Sequence, residues 1–285
     1  MGGQFLVVTT EGVVGDDLVG EVIARAGAGA GTPRRLGKGA VEIPLAAMID
    51  DLAPLRQGLA ADVNQVAADA RRKAILIADM DSTIISVECI DELADYAGVK
   101  EHVARITEAA MRGELDFEQA LFARVELLRG LPVSVLQSCY DERVRLNPGA
   151  AAMVGGMNAA GARTALVSGG FTFFTERVAA AAGFQSNQAN VLEEADGRLT
   201  GSVRLPVLGR QAKADALDAL CAERGVTPRD VVAIGDGAND LSMIEKAGLG
   251  VAYRAKPALR EKADAVLDHS DLTAVLALQG LPLPS

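Results

Sequence analysis

The spacing of apolar and polar positions divides the chain into two parts. QFLVVT, residues 4–9, predicts a short strand, and residues 15–26 show helical spacing with Leu18, Val22 and Ile23 on one face. A Gly-rich loop reads from Ala26 to Ala40 (AGAGAGTPRRLGKGA). Then come a strand VEIPL (41–45), a helix MIDDLAPLRQGLA (48–60) and a closing strand DVNQVAA (62–68). Residues 1–70 thus read roughly as a small α+β module of βαββαβ order.

From Lys73 the pattern changes. Short apolar runs AILIA (74–78), TALVS (164–168), VVAIG (231–235) and GVAY (250–253) alternate with helical stretches. That alternation predicts an α/β domain, residues 71–285, built on a doubly wound parallel sheet. Residues 86–148 interrupt it with helices, including IDELADYAGV, EHVARITEAAMRG and DFEQALFARVELLRGL. Asp116 is placed to cap the last of these, and Gly130 and Pro132 to end it. A helical insertion directly after the first strand would sit above the C-terminal edge of the sheet as a cap. Residues 186–206 predict a hairpin around Asp196-Gly197.

Composition narrows the partners. Aromatics make up 4% of the 285 residues and tryptophan is absent, so the core must be Ala, Val, Leu and Ile. A net charge of −10 argues against nucleic acid and anionic membranes. It also means an anionic substrate would need a local cluster of cations or a metal. Cys89, Cys139 and Cys221 have no metal spacing and read as free thiols in a reducing compartment. MGGQFLVVTTEG lacks the basic and apolar regions of a signal peptide, and no apolar run is long enough to span a bilayer. The expectation is a cytoplasmic protein acting on a small molecule.

Parallel α/β sheets present ligands at the C-terminal ends of their strands. Here the strands end in Asp79-Met80-Asp81-Ser82-Thr83, in Ser168-Gly169-Gly170-Phe171 and in Gly235-Asp236-Gly237-Ala238-Asn239-Asp240. Lys213 lies in the helix before the third of these strands. Carboxylates without histidine make a hard oxygen site suited to Mg²⁺ and ill suited to Zn²⁺. The metal and Lys213 would neutralise and clamp a phosphoryl group. The Ser168 hydroxyl and glycine-flanked backbone N–H groups supply further donors. One carboxylate can attack phosphorus, and the other can carry the proton. Each element alone is common, since a lone strand-end Asp is often only a helix cap. The specificity lies in all four occurring in order.

These elements resemble the DxDx[TV], Ser/Thr, Lys and GDxxxD motifs of the haloacid dehalogenase-like phosphatase superfamily. DMDSTIISVECIDELADYAGV, ITEAAMRGELDFEQALFARVELLRGL, VSGGF and GDGANDLSMIEKAGLG further resemble its phosphoserine phosphatases, over about residues 73–275. The resemblance implies Mg²⁺-dependent hydrolysis of O-phosphoserine through an aspartyl-phosphate. It makes Asp79 the nucleophile and Asp81 the general acid/base. The Asp79 side chain, the Asp81 carbonyl and Asp236 become metal ligands, with Asp240 supporting that shell. Ser168, Gly169 and Lys213 fall on phosphate-binding positions, and Asn239 on a substrate-contacting one. Glu88 and Arg124 fall on the positions that take the substrate ammonium and carboxylate, a role for which the planar guanidinium fork is suited. Met111 and Phe117 match apolar cap residues. The N-terminal element order resembles the ACT fold, which implies amino-acid binding, pairing into a homodimer, or simple packing.

Other features carry less. The 26–40 loop has neither GxGxxG nor GxxxxGK[ST]. His102 and His269 are isolated and read as a helix face and a late turn.

Overall fold

The computed structural model describes residues 3–111 and 114–284 and, of Met111, the backbone alone. The N-terminal part opens with β1 (Gln4–Thr9) and α1 (Asp16–Ala26). β2 (Arg34–Gly37), β3 (Ala40–Leu45), α2 (Ala53–Arg56) and β4 (Asp62–Ala67) follow. The four strands form an antiparallel sheet of order β2-β3-β1-β4. Leu6, Val8, Val41, Ile43 and Val63 meet Val19, Val22 and Leu55 of the two helices in one core. Leu18 and Ile23 pack against its margin.

Two expectations need correction here. The segment 26–40 is not all loop, because it contains β2. That strand is an edge with Arg34 and Arg35 exposed and only Leu36 buried, so it shows no alternation. The helix expected over 48–60 is only Ala53–Arg56. Pro54 sits in its first turn, where a missing N–H does no harm, and Asp51 accepts from the Ala53 N–H at 2.8 Å.

The C-terminal part begins with β5 (Ile75–Ala78). Four helices follow: α3 (Cys89–Tyr96), α4 (Lys100–Met111), α5 (Phe117–Glu126) and α6 (Ser134–Arg143). The chain then runs through α7 (Ala150–Ala159), β6 (Arg163–Phe171), α8 (Thr172–Ala182) and β7 (Ser186–Asn190). Next come β8 (Leu192–Ala195), β9 (Arg198–Val203), α9 (Arg210–Arg224), β10 (Val231–Gly235) and α10 (Leu241–Lys246). β11 (Leu249–Tyr253), α11 (Pro257–Arg260), β12 (Ala265–Leu267) and α12 (Ala274–Leu278) complete it.

A parallel six-stranded sheet has the order β12-β11-β10-β5-β6-β7. Leu76 and Ala78 face one core, with Met153 and Met157 of α7 and Phe174 of α8. Ile75 and Ile77 face the other, with Leu217 of α9 and Ile244 of α10. A strand covered on both faces must be apolar throughout, as ILIA is. The crossovers run from β5 to β6 and β7 on one side and then to β10 on the other. The switch point, where such sheets bind ligands, therefore lies at the end of β5.

The cap leaves and rejoins the sheet at one point, where Ile85 and Leu146 form an isolated bridge. Asn147 Nδ2 donates to the Thr83 and Ile85 carbonyls there, at 2.8 and 3.1 Å. Asp116 caps α5 with a reciprocal bond from Gln119. Residues 186–206 are not a single hairpin. Residues 186–190 are β7 of the main sheet, a strand hidden by its polar composition. The hairpin is β8-β9, turning at Asp196 and Gly197 with φ 52° and 72°. It packs on the cap, with the Gly130 N–H on the Leu199 carbonyl at 2.8 Å.

The two parts are joined along β4 and β12. The Asn64 amide donates to Val266 O at 2.9 Å and accepts from Val266 N at 3.0 Å, so a side chain pairs the sheet edge. Asp62 accepts from the N–H groups of Asp268 and His269 and from Ser270 Oγ, at 2.9, 3.0 and 2.6 Å. The Glu42–Arg71 ion pair, at 2.7 Å, lies buried between the parts. No helix among the described residues is long and apolar enough to cross a membrane. The three cysteines are buried and unpaired, and His102 and His269 are exposed.

Candidate active site

Asp79 stands where the pairing of β5 stops, and its N–H still donates to Ile234 O of β10 at 3.0 Å. Its Oδ1 accepts from the Met80 N–H at 2.8 Å and lies 2.7 Å from Lys213 Nζ. Asn239 Nδ2 donates to its Oδ2 at 3.2 Å. Asp81 is held from both sides. Oδ1 accepts from the Cys89 N–H, in the first turn of α3, at 2.9 Å, and Oδ2 from Ser168 Oγ at 3.2 Å. Ser168 Oγ accepts in turn from the Gly170 N–H at 2.8 Å. Burial, then the charges of Glu88 and Asp79, push the Asp81 carboxyl up to about 7. An acid so tuned can give and take a proton near neutrality.

Lys213, in the first turns of α9, is buried between Asp79 and Asp240, with Asp240 Oδ1 at 2.5 Å. Burial opposes its charge, but Asp240 and Asp79 outweigh that and hold the ammonium above its ordinary range. Asp240 Oδ2 accepts from the N–H groups of Asp236 and Gly237, each at 3.1 Å. Gly235 is required here, since a Cβ would come 2.4 Å from that carboxylate.

Carboxylate oxygens of Asp79, Asp236 and Asp240 lie within 4.8 Å of one another. Burial and mutual repulsion push Asp236 up to about 7 and Asp240 up to about 6. Three buried acids, two of them paired with one lysine, offer oxygen donors only and fit a hard divalent cation. Both Asp240 oxygens already serve Lys213 and the loop amides, which makes it the organiser of the loop. Asp236 is less engaged, with a long contact of 3.4 Å from Thr83 Oγ1 to its Oδ1.

The cap supplies the wall opposite. Glu88 is the N-cap residue of α3. Burial raises its carboxyl, opposed by the bond from Ser82. Arg124, on α5, is lowered by burial, while Asp91, Glu88 and Asp81 support its charge. The two thus lie within electrostatic reach of each other and of Asp81. The ring of Phe117 lies over Gly169 and Gly209. The side chain of Met111 lies outside the described residues. Asp79, Asp81, Ser168, Lys213, Asn239 and Asp240 thus come together at the strand ends with Asp236, while Glu88 and Arg124 lie on the cap within electrostatic reach.

Sequence reasoning missed two residues here. Asn190 is buried at the end of β7 and donates to Gly169 O at 2.8 Å, while its Oδ1 accepts from the Leu208 N–H at 2.7 Å. It ties the serine loop to the approach to Lys213. Lys256 follows β11, and its charge supports ionisation of Glu88 and Asp236. Its N–H donates to Asp236 O at 2.9 Å. Both obey the strand-end rule, and reading β7 as a strand and following GVAY three residues further would have found them.

Comparison with known proteins agrees with this geometry. Residues 76–245 match the haloacid dehalogenase-like hydrolase family, and the chain belongs to that family of hydrolases. It is 48% identical to the phosphoserine phosphatase of Polaromonas sp. over 205 residues, 70% of this chain and 87% of that one. Within the family its place is among the phosphoserine phosphatases. A haloacid dehalogenase family hydrolase from Salmonella enterica serovar Typhi superposes with a TM-score of 0.87 at 30% identity, over 97% of this chain and 98% of that one. The N-terminal module is thus shared with that structure. A phosphoserine phosphatase solved as a phospho-aspartyl intermediate analogue superposes with a TM-score of 0.68 at 41% identity, over 72% of this chain and 98% of that one.

Proposed function

We propose that this phosphatase hydrolyses O-phospho-L-serine to L-serine and phosphate, the last step of serine biosynthesis, with Mg²⁺ as its cation. The observation that carries the substrate is Glu88 and Arg124, opposite charges from two cap helices within electrostatic reach of Asp79 and Asp81. An amino acid offers the complementary ammonium and carboxylate. The Asp79 and Asp236 carboxylates and the Asp81 carbonyl would hold the cation, which neutralises charge on the phosphoryl oxygens.

Asp79 attacks phosphorus. An Asp79–phosphorus bond forms as the bond to the seryl oxygen breaks, and Asp81 gives its proton to that oxygen. Asp81 then takes a proton from water. The water oxygen bonds phosphorus as the aspartyl bond breaks, releasing phosphate. Lys213 and Ser168 hold phosphoryl oxygens throughout, and the cap with Phe117 excludes bulk water. Three buried unpaired thiols suit a reducing compartment such as the cytoplasm.

The test is phosphate release from L-phosphoserine, phosphothreonine, sugar phosphates and an aryl phosphate, with and without Mg²⁺. Phosphoserine should be strongly preferred. Arg124→Ala should raise its KM and leave that of the aryl phosphate nearly as it was. An equal rise for both would remove the head-group assignment.

A further inference from the structure

Ser82 follows the second aspartate and has φ +56°, in the left-handed region. There the Cβ of an L-residue crowds the next carbonyl, whereas glycine has no such conflict. Strain of this kind at a catalytic loop is worth tracing to what the side chain holds. The Ser82 Oγ donates to Glu88 Oε1 at 2.7 Å, and its own N–H donates to Val87 O at 3.2 Å. Residues 82–88 therefore close into a loop on one backbone bond and one side-chain bond. Glu88 is the N-cap residue of α3, yet its side chain makes no capping bond. The hydroxyl of Ser82 turns the carboxylate away from the helix amides.

We propose that Ser82 is a positioning residue for amino-acid selectivity. It holds Glu88 through Oε1, so that Oε2 meets the ammonium of the substrate. This rests on the phosphoserine reading above. The left-handed backbone is what brings the hydroxyl to Glu88. The serine thus trades conformational ease for orientation of the charge.

The test compares kcat/KM for L-phosphoserine with that for the analogue whose amine is replaced by hydrogen. It uses the wild type, Ser82→Gly and Ser82→Ala at saturating Mg²⁺. Glycine relieves the backbone and removes the hydroxyl, so its melting temperature should be no lower than that of the wild type. Selectivity should nevertheless drop about ten-fold in both variants, the scale of one hydrogen bond to a charged group. The loss should appear in the KM for phosphoserine. Wild-type selectivity in Ser82→Gly would overturn the proposal. So would an equal loss on both substrates in both variants, which would make Ser82 only part of the turn. If the wild type itself showed no preference for the amine, the phosphoserine reading would fall instead.

Discussion

Lys213 Nζ stands 2.7 Å from Asp79 Oδ1, and the two side chains are only 3% and 4% exposed. A buried ion pair of this kind is costly to break from one side, because the surviving charge has nowhere to go. Lys213→Met leaves Asp79 and Asp240 together without a cation. It should cost about 3 kcal/mol of stability in urea unfolding of the metal-free protein. Its kcat should fall about 10²–10³-fold, the scale for removing one preorganised charge donor. Asp79→Asn removes a repelling acid and should instead hold or raise the melting temperature while ending turnover. A melting temperature lowered equally by both variants would contradict this picture of the cluster.

The same crowding makes stability depend on pH. Asp81 and Asp236 are raised to about 7 and Asp240 to about 6, from an ordinary 3.8. Between those values the folded metal-free protein keeps protons that the unfolded chain has lost. The stabilisation from these groups is complete below pH 3.8 and is lost as pH rises through about 6 to 7. The melting temperature without metal should therefore fall between about pH 5 and about pH 7, and Mg²⁺ should flatten the fall. A metal-free melting temperature that rises over that window would contradict the assignment.

Gly170 sets the distance between the serine loop and Asp81. A Cβ there would come within 2.7 Å of Asp81 Oδ2. Gly170→Ala should displace the carboxyl and lower kcat about 10²-fold with little change in the circular dichroism spectrum. Steady-state kinetics that match the wild type would show that Asp81 does not need this approach.

Asp62 joins the N-terminal sheet to the catalytic part through three donors. Asp62→Ala orphans the Asp268 and His269 amides and should cost about 1–3 kcal/mol in denaturant unfolding. If the parts unfolded in two steps, with the catalytic midpoint unchanged, the coupling through Asp62 would be absent.

The catalytic core was legible in the sequence because buried parallel strands have a plain apolar pattern and their ends follow a rule. Asp79, Ser168 and Asp236 could be placed by following strands to their ends. Asp116 announced its helix through local cap chemistry. What escaped notice did so for identifiable reasons. β2 and β7 are edge strands stabilised by their neighbours more than by their own alternation, so RRLG and SNQAN carried no signal. Asn190 was lost with β7. The pairing of Asn64 with Val266 joins residues 202 apart and depends on tertiary contact alone. Glu88 and Arg124 are ordinary helix residues by composition, and their meeting is a product of the cap fold.

Whether Asp79 carries the phosphoryl group is decided by acid-quenching the Mg²⁺-loaded enzyme during turnover of radiolabelled phosphoserine, with peptide mapping of the label. Acid-stable label, at a mass increment of one phosphoryl group, should appear on the peptide containing Asp79 and be absent in Asp79→Asn. Label on another residue, or phosphoserine turnover at the wild-type rate by Asp79→Asn, would contradict it.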